Sequence, residues 1–300
     1  MSELILHHYD ASPFSEKVRL MFGLKGLAWR SVIQPSIMPK PDLTPLTGGY
    51  RRAPVMQSGA DVYCDTQVIL AEIEARTGGS SGGAGYAVNF WADRLFFAAS
   101  VPIIFGEMGD AVPEAFITDR EKLSGRPFDL AAMKAASGVM KQQWRAQGGW
   151  IDRAVAAQPF LDGDKPGLSD IAAYMNVWFV ATFTPTVGEA LMSGLANLQG
   201  WRERVAAIGQ GQRAEMSTAE ALDAAREAEP APPPPHDLAD PLGLSPGAAV
   251  MVHADDYGRD PIKGTLVAAN PERIVVARDD PLLGRLHVHF PRAGYVAHAA

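Results

Sequence analysis

A run of prolines divides the sequence into two parts of different composition. Residues 229–246 read EPAPPPPHDLADPLGLSP, a composition typical of a stiff, extended linker. After it, five short segments have strand composition and are separated by Pro, Gly, Asn and Asp. They are AAVMVHA, IKGTLVAA, RIVVAR, LHVHF and GYVAH. We therefore expect a small all-β domain over residues 247–300, either barrel-like or built on a strongly twisted sheet.

The first 78 residues alternate between strand-like and helix-like segments. ELILHH is a short apolar run, and Pro13 then opens a segment with apolar residues at helical spacing. AWRSVIQ has strand composition, and APVMQSGADVYC reads as two strands around a Ser58-Gly59 turn. Asp65-Thr66 then begins another helix. This order predicts an α/β unit of βαβαββα topology over residues 1–78.

The segment 86–228 is predicted to be all-helical, because its long periodic segments have helical spacing. These segments are 86–107, 129–147, 149–157, 169–183 and 198–208, with a more polar one at 214–228. GGSSGGAG, residues 78–85, precedes this part of the chain and has the composition of a flexible hinge. An α/β unit followed by a helical unit indicates two packed domains.

Charge and cysteine content exclude several classes of protein. The formal net charge is −7, which argues against an extended surface for nucleic acid or anionic membrane. The single cysteine, Cys64, cannot form an internal disulfide and is interpreted as a small buried apolar residue.

The apolar windows FFAASVPIIFG and AAYMNVWFVATFTP contain breakers, so we expect buried helices and no membrane span. The N-terminus has no signal-peptide pattern, and we expect a cytoplasmic protein.

Three motifs occur in a fixed order in the first unit: SPFSEKVRL after a strand, RRAPV before a strand, and Asp65-Thr66 at a helix start. Together they resemble the thioredoxin-like N-terminal domain of the glutathione S-transferase superfamily. Residues 86–228 resemble the helical second domain of that family, whereas the segment after the prolines lies outside the resemblance. The resemblance implies a homodimeric transferase in which the thiolate of glutathione, the co-substrate, attacks a small electrophile.

Ser12 occupies the position of the active-site residue in the serine and cysteine classes of that family. Lowering a thiol pKa from about 8.5 to about 6.5 requires roughly 2.7 kcal/mol of thiolate stabilisation. A helix N-terminus supplies about 0.3 to 2 kcal/mol, and a hydrogen bond to a charged group supplies about 1.5 to 3 kcal/mol. The alternative is that Ser12 only caps the helix, with Pro13 in its first turn. Tyr9 is the second candidate, with core packing as its own alternative.

A dithiol reductase is disfavoured at this motif. Ser12 and Ser15 stand where glutaredoxin-like members carry a cysteine and, in some, a second thiol. A serine cannot form a mixed disulfide.

The resemblance also implies a set of glutathione-binding residues. Ala53-Pro54 matches the family's cis-proline position, which presents backbone groups to the cysteinyl part of glutathione; a trans proline at an edge strand is the alternative. Asp65-Thr66 matches the pair that binds the γ-glutamyl group at a helix N-terminus, with an ordinary Asp N-cap as the alternative. Phe14 completes this part of the set.

The glycyl carboxylate of glutathione requires a cation. Lys40, Arg51 and Arg52 are candidates, and Lys40 is preferred. The alternative for each is an ordinary surface charge.

The helical segment contributes two further predictions. GDKPGLSDIAAY resembles the family's structural capping motif, with Gly167 at the cap and Asp170 three residues later. Aromatic residues lie where the family builds its hydrophobic acceptor pocket, although each of them can instead belong to the core. They are Trp91, Phe96, Phe97, Phe105 and Phe116.

The C-terminal segment has balanced charge and four of the seven histidines, His253, His287, His289 and His298. His287 and His289 fall on one face of a strand. A metal site is conceivable there, but hydrogen-bonded or exposed histidines are the commoner case, so no metal is predicted. The segment is expected to pack against the body, cover the cleft or engage a partner. The last role motivates an alternative function, that of a non-catalytic interaction module.

Overall fold

The first unit contains four strands and three helices in the predicted order. The computed structural model describes residues 3–79 and 82–300. The elements are β1 (Ile5–His8), α1 (Pro13–Leu24), β2 (Ala28–Ile33), α2 (Thr44–Thr47), β3 (Val55–Ser58), β4 (Asp61–Cys64) and α3 (Thr66–Arg76). β1 pairs with β2 in parallel and with β3 antiparallel, and β4 follows β3. The predicted βαβαββα unit is therefore confirmed.

The middle of the chain is helical apart from one short strand. Its elements are α4 (Gly82–Trp91), a π-helical turn (Ala92–Phe96), α5 (Phe97–Met108), a 3-10 turn (Gly109–Ala111), α6 (Glu114–Ser124), α7 (Leu130–Ala154), α8 (Leu168–Phe183), α9 (Pro185–Met192), α10 (Ala196–Ala206), β5 (Gln212–Glu215) and α11 (Thr218–Arg226). Residues 80 and 81 of the predicted hinge lie outside the described residues, and residues 82–85 belong to the first turn of α4 rather than to a hinge. The helical second domain is confirmed.

Details of this segment differ from the prediction. α7 is one helix of 25 residues where two were predicted. The Gly148-Gly149 pair suggests a break, but both glycines are buried, and a side chain at Gly148 would crowd Trp144 and Leu198. α6 and α9 are absent from the prediction; in α6 only Asp119 is buried, so the segment has no apolar stripe.

The strand β5 was also not predicted. It pairs in parallel with β2, from Ala28 opposite Gln212 to Ser31 opposite Glu215. Its sequence, QRAE, has no apolar pattern. Long-range backbone pairing therefore creates this strand.

One helical stretch meets the length and composition of a membrane span, contrary to the expectation from the breakers. It comprises residues Gly82–Ala111. Pro102 lies inside α5 without ending the helix. The core helix of a folded domain passes the same test, and in this structure α4 and α5 pack against α7 and α8.

The C-terminal strands extend the sheet of the first unit. They are β6 (Ala249–Ala254), β7 (Ile262–Ala269), β8 (Arg273–Asp280), β9 (Gly284–Pro291) and β10 (Tyr295–Ala299). β9 pairs in parallel with β4, with Val62 opposite Val288. The result is one ten-stranded sheet of order β10-β6-β7-β8-β9-β4-β3-β1-β2-β5. The predicted β region with five strands is confirmed, but it forms an open sheet continuous with the first unit rather than a closed barrel.

A shared apolar core joins the C-terminal strands to the first unit. Val55, Val62 and Cys64 from the first unit pack in one cluster with residues such as Val288 and Phe290. The helical segment contributes instead to a second large cluster, with α1 and α3. The predicted linker, residues 229–246, contains no helix or strand.

Polar contacts reinforce this packing. His289 Nε2 lies 2.9 Å from Asp61 Oδ1, and Arg273 donates to Glu72 at 2.9 Å. Packing against the body, one of the roles expected for the C-terminal segment, is therefore present in the structure.

Candidate functional site

Ser12 lies at the N-terminus of α1. Its backbone is extended, with φ −81° and ψ 122°, and its Oγ accepts a hydrogen bond of 3.2 Å from the Ser15 backbone N–H. Pro13 occupies the first turn. A hydroxyl that accepts this bond still has its own proton to donate. Capping and hydrogen bonding to a bound thiolate are therefore compatible at Ser12.

Ser12 and Tyr9 both line a cavity of about 500 Å³ between the first unit and the helical segment. Ser12 is only 1% exposed, so a ligand in this cavity would reach a hydroxyl shielded from bulk water. Tyr9 lies one residue beyond the end of β1. The geometry thus brings both predicted thiolate partners to one cavity.

One wall of this cavity is apolar. Of the five predicted aromatics, Phe97, Phe105 and Phe116 line it. Trp91 and Phe96 do not; they stack on each other in the core, with ring centroids 5.1 Å apart. The apolar wall fits a hydrophobic substrate, and it includes residues of α5 and of the unpredicted α6.

Lys40 and Arg51 also line this cavity and give it basic groups. Lys40 Nζ donates to the Arg51 carbonyl at 2.9 Å, and no carboxylate lies within ion-pair distance of it among residues 3–79 and 82–300. Burial and the neighbouring Arg120 lower the pKa of Lys40 to about 8. Arg51 is already paired with Asp119 at 2.6 Å. Lys40 is therefore the freer of these two cations for a ligand carboxylate.

A second, polar pocket of about 40 Å³ lies beside the large cavity. Its lining includes Asp65, whose φ is +92° and whose Oδ1 accepts from Gln67 N–H at the start of α3. Thr66 is buried at the first position of α3. The Ala53-Pro54 bond is cis, as expected, and Ala53 lines the large cavity. Of the predicted binding residues, Pro54 and Thr66 line neither space, and the others line one or both: Phe14, Lys40, Arg52, Ala53 and Asp65.

Phe14, Arg52 and Tyr257 line both spaces. Phe14 lies in the first turn of α1, Arg52 precedes the cis peptide, and Tyr257 follows β6 in the C-terminal region. These three residues define what we call the neck between the cavity and the polar pocket.

Four residues that line the polar pocket were not predicted from the sequence. Asp256, Tyr257 and Tyr295 come from the C-terminal region and line the polar pocket. Asp93 lines it as well and holds the buried Lys17 Nζ at 2.6 and 2.9 Å. Burial raises the pKa of the Asp93 carboxyl, and Lys17 opposes that shift. Their positions depend on long-range packing, and no local pattern in the sequence marks them.

The remaining candidates lie away from these spaces. Cys64 is fully buried, and burial raises the pKa of its thiol. His289 is held by Asp61 and stacks on Tyr63, with ring centroids 4.4 Å apart. No group of three or more metal-ligating side chains occurs in the described part of the chain.

Asp170 has the structural role that the capping motif implies. It is completely buried and accepts hydrogen bonds from the Gly167 and Leu161 backbone N–H groups and from Trp201 Nε1. These bonds fix the start of α8 against the loop before it and against α10.

Comparisons with known proteins agree with this architecture. Residues 6–81 match the family model described as glutathione S-transferase, N-terminal domain, and residues 111–204 match the glutathione S-transferase C-terminal domain. A crystal structure of a GST-like protein from Pseudomonas syringae is 34% identical, with a TM-score of 0.83 and complete coverage of both chains. That match includes the C-terminal β region. The comparison with curated proteins gave no match.

More distant structures share the fold of the first two domains. FzlA from C. crescentus is 22% identical, with a TM-score of 0.52 over 68% of this chain and 87% of that one. A Tau class glutathione S-transferase from mango, Mangifera indica, is 18% identical, with a TM-score of 0.52 over 68% and 89%. The fold and the site define a protein of the glutathione S-transferase type. The chain belongs to the glutathione S-transferase superfamily.

Proposed function

We propose that this protein is a glutathione-dependent transferase. Glutathione binds with its thiol at the N-terminus of α1, where Ser12 donates a hydrogen bond to the thiolate. The thiolate then attacks a small electrophile held against the apolar wall of the cavity. The proposal is carried by the position of Ser12. This residue caps α1 and lines the same cavity as Lys40, Ala53 and the aromatic wall.

The chemistry of the site supports each part of this proposal. The helix N-terminus and the Ser12 hydroxyl together supply the stabilisation that a thiolate requires. Lys40 is suited to the glycyl carboxylate, and Asp65 with Thr66 at the start of α3 is suited to the glutamyl group. Phe97, Phe105 and Phe116 offer apolar surface to the electrophile.

Calorimetry with glutathione, followed by mass spectrometry of products formed with an aryl halide, tests the proposal. We expect binding at millimolar glutathione or below, and an enzyme-dependent conjugate. An absence of binding at millimolar glutathione would exclude the proposed transferase function. Binding without any conjugate across several classes of electrophile would leave the non-catalytic module, which is not favoured because the chain matches glutathione S-transferase domains over both of its first two units.

A homodimer is the association that the family suggests, through the first domain of one chain and the second of the other. Such a dimer must accommodate β9 on β4 and the Arg273–Glu72 pair on α3. Native mass spectrometry separates a dimer from a monomer. A cytoplasmic location and the absence of nucleic-acid and membrane partners stay predictions.

A further inference from the structure

The C-terminal β region contacts Asp65, which is predicted to bind the glutamyl end of glutathione, and Arg52, a candidate for the glycyl carboxylate that also lines the polar pocket. The Tyr295 hydroxyl donates to Asp65 Oδ2 at 3.1 Å. Arg52 Nη2 donates to Asp256 Oδ1 at 2.5 Å, and the Tyr257 ring lies 4.0 Å from the Arg52 guanidinium carbon. The region therefore contributes side chains to the site, beyond its packing against the sheet.

We propose that the C-terminal β region completes the γ-glutamyl subsite of this chain, with Tyr295 orienting Asp65, Asp256 orienting Arg52, and Tyr257 forming the neck. The proposal rests on the proposed function, because it assigns the subsite for the amino-acid end of that same co-substrate.

The charges of the polar pocket fit an α-amino-acid group. Asp65 accepts only from Gln67 N–H and Tyr295, and no cation lies within ion-pair distance of its carboxylate in the described chain. This unpaired carboxylate is suited to a ligand ammonium group. The first turn of α3 beside it is suited to the ligand carboxylate.

Arg52 has donor capacity left for a ligand. Only its Nη2 is used in the ion pair with Asp256, and its Nε is buried without a hydrogen-bond partner among the described residues. A guanidinium has five N–H donors, so it can hold Asp256 and a second acceptor together. Asp256 also lies 3.4 Å from Arg94, which anchors the carboxylate between two arginines.

The position of the neck fits a ligand that spans both spaces. The thiol of glutathione is proposed to lie in the large cavity and its glutamyl end in the polar pocket. The peptide between them must pass Phe14, Arg52 and Tyr257. The pocket holds about 40 Å³ in this conformation, far less than a pocket for a small-molecule group usually provides. Binding of the glutamyl end therefore requires this pocket to widen, and Asp256, Tyr257 and Tyr295 of the C-terminal region are among the residues that line it.

The test compares glutathione with cysteinylglycine, which lacks the glutamyl group. Calorimetry is run on the full-length wild type, Tyr295→Phe and Asp256→Asn, with thermal unfolding to verify folding. Asp279→Asn is the matched control, because Asp279 pairs with Arg285 on the exposed surface of the same region. Loss of one hydrogen bond to a charged group should weaken glutathione binding about tenfold in each test variant.

The result is read from the ratio of the affinities for glutathione and cysteinylglycine. We expect the affinity for cysteinylglycine to stay within about twofold of the wild type in every variant, since this ligand does not reach the pocket. Unchanged glutathione affinity in both test variants, or equal losses for both ligands, would overturn the proposal and leave the transferase intact. A wild type that binds no glutathione would overturn the proposed function and this subsite with it.

Discussion

The large cavity and the polar pocket share the neck but differ in chemistry and in origin. The large cavity is lined by aromatic rings of the helical segment and by Lys40 and Arg51 of the first unit. The polar pocket combines Asp65 of the first unit with Asp256 and Tyr295 of the C-terminal region. One space is thus suited to a variable apolar substrate and the other to a fixed zwitterionic group. Under the proposed function, the apolar wall of the large cavity holds the electrophile, whereas the polar pocket holds only the glutamyl end of the co-substrate.

Replacing Arg52 by Ala should have the largest effect, because Arg52 belongs to both spaces. The change removes the ion pair with Asp256 and the cation beneath Tyr257. We expect glutathione affinity to fall about fiftyfold or more, since the change removes a cation that lines both spaces and leaves the partly buried Asp256 with Arg94 as its remaining ion-pair partner. Calorimetry measures this loss, and the exposed Arg285→Ala is the control. A fall of less than twofold would break the claim that the two spaces meet at Arg52.

Phe116→Ala should affect the large cavity alone. Phe116 lines the apolar wall and stacks near Phe105, with centroids 5.6 Å apart. Removing the ring should raise the KM for an aromatic electrophile about tenfold and leave the KM for glutathione within about twofold. Steady-state kinetics measures both constants.

Phe90→Ala is the matched counterpart of that change, since Phe90 lines only the polar pocket. We expect the reverse pattern, with the glutathione constant altered and the electrophile constant retained. If both variants change the KM for glutathione and the KM for the electrophile equally, the two spaces do not bind the two substrates separately.

The smallest expected effect is a pH dependence at Lys40. Its pKa of about 8 means that the ammonium is charged below pH 8 and loses its proton above it. Affinity for a ligand carboxylate should therefore be complete near pH 7 and fall about fivefold by pH 9. S-methylglutathione, which has no ionisable thiol, is the ligand for this titration. Lys40→Met should bind it more weakly at pH 7 and show no such fall, whereas a retained pH dependence would assign it to another group.

Local patterns in the sequence predicted the parts of the site that depend on nearby residues. Ser12 and Asp65 each cap a helix through bonds to residues two or three positions away, so the sequence around them is sufficient to identify them. The capping bonds of Asp170 to Gly167 belong to the same kind. The order of the first seven elements follows from apolar runs and turn residues for the same reason.

Long-range contacts account for what the sequence did not predict. The Arg52–Asp256 and Asp65–Tyr295 contacts join residues 204 and 230 positions apart, and no local pattern marks either partner. β5 exists because its backbone pairs with β2. The C-terminal strands form an open sheet continuous with the first unit, and not a separate barrel, because β9 pairs with β4 of that unit as well as with β8 of its own region.

The central claim is that Ser12 stabilises the thiolate of bound glutathione, and the pKa of that thiol tests it most directly. The thiolate absorbance of bound glutathione is titrated in the wild type, Ser12→Ala, Tyr9→Phe and Ser15→Ala. Ser15 is the matched control, because its buried hydroxyl lies in the same helix and has no hydrogen-bond partner within residues 3–79 and 82–300. We predict that Ser12→Ala raises the thiol pKa by about one to two units and that the other variants leave it unchanged. An unchanged thiol pKa in Ser12→Ala would contradict the account, and a raised value in Tyr9→Phe alone would transfer the role to Tyr9.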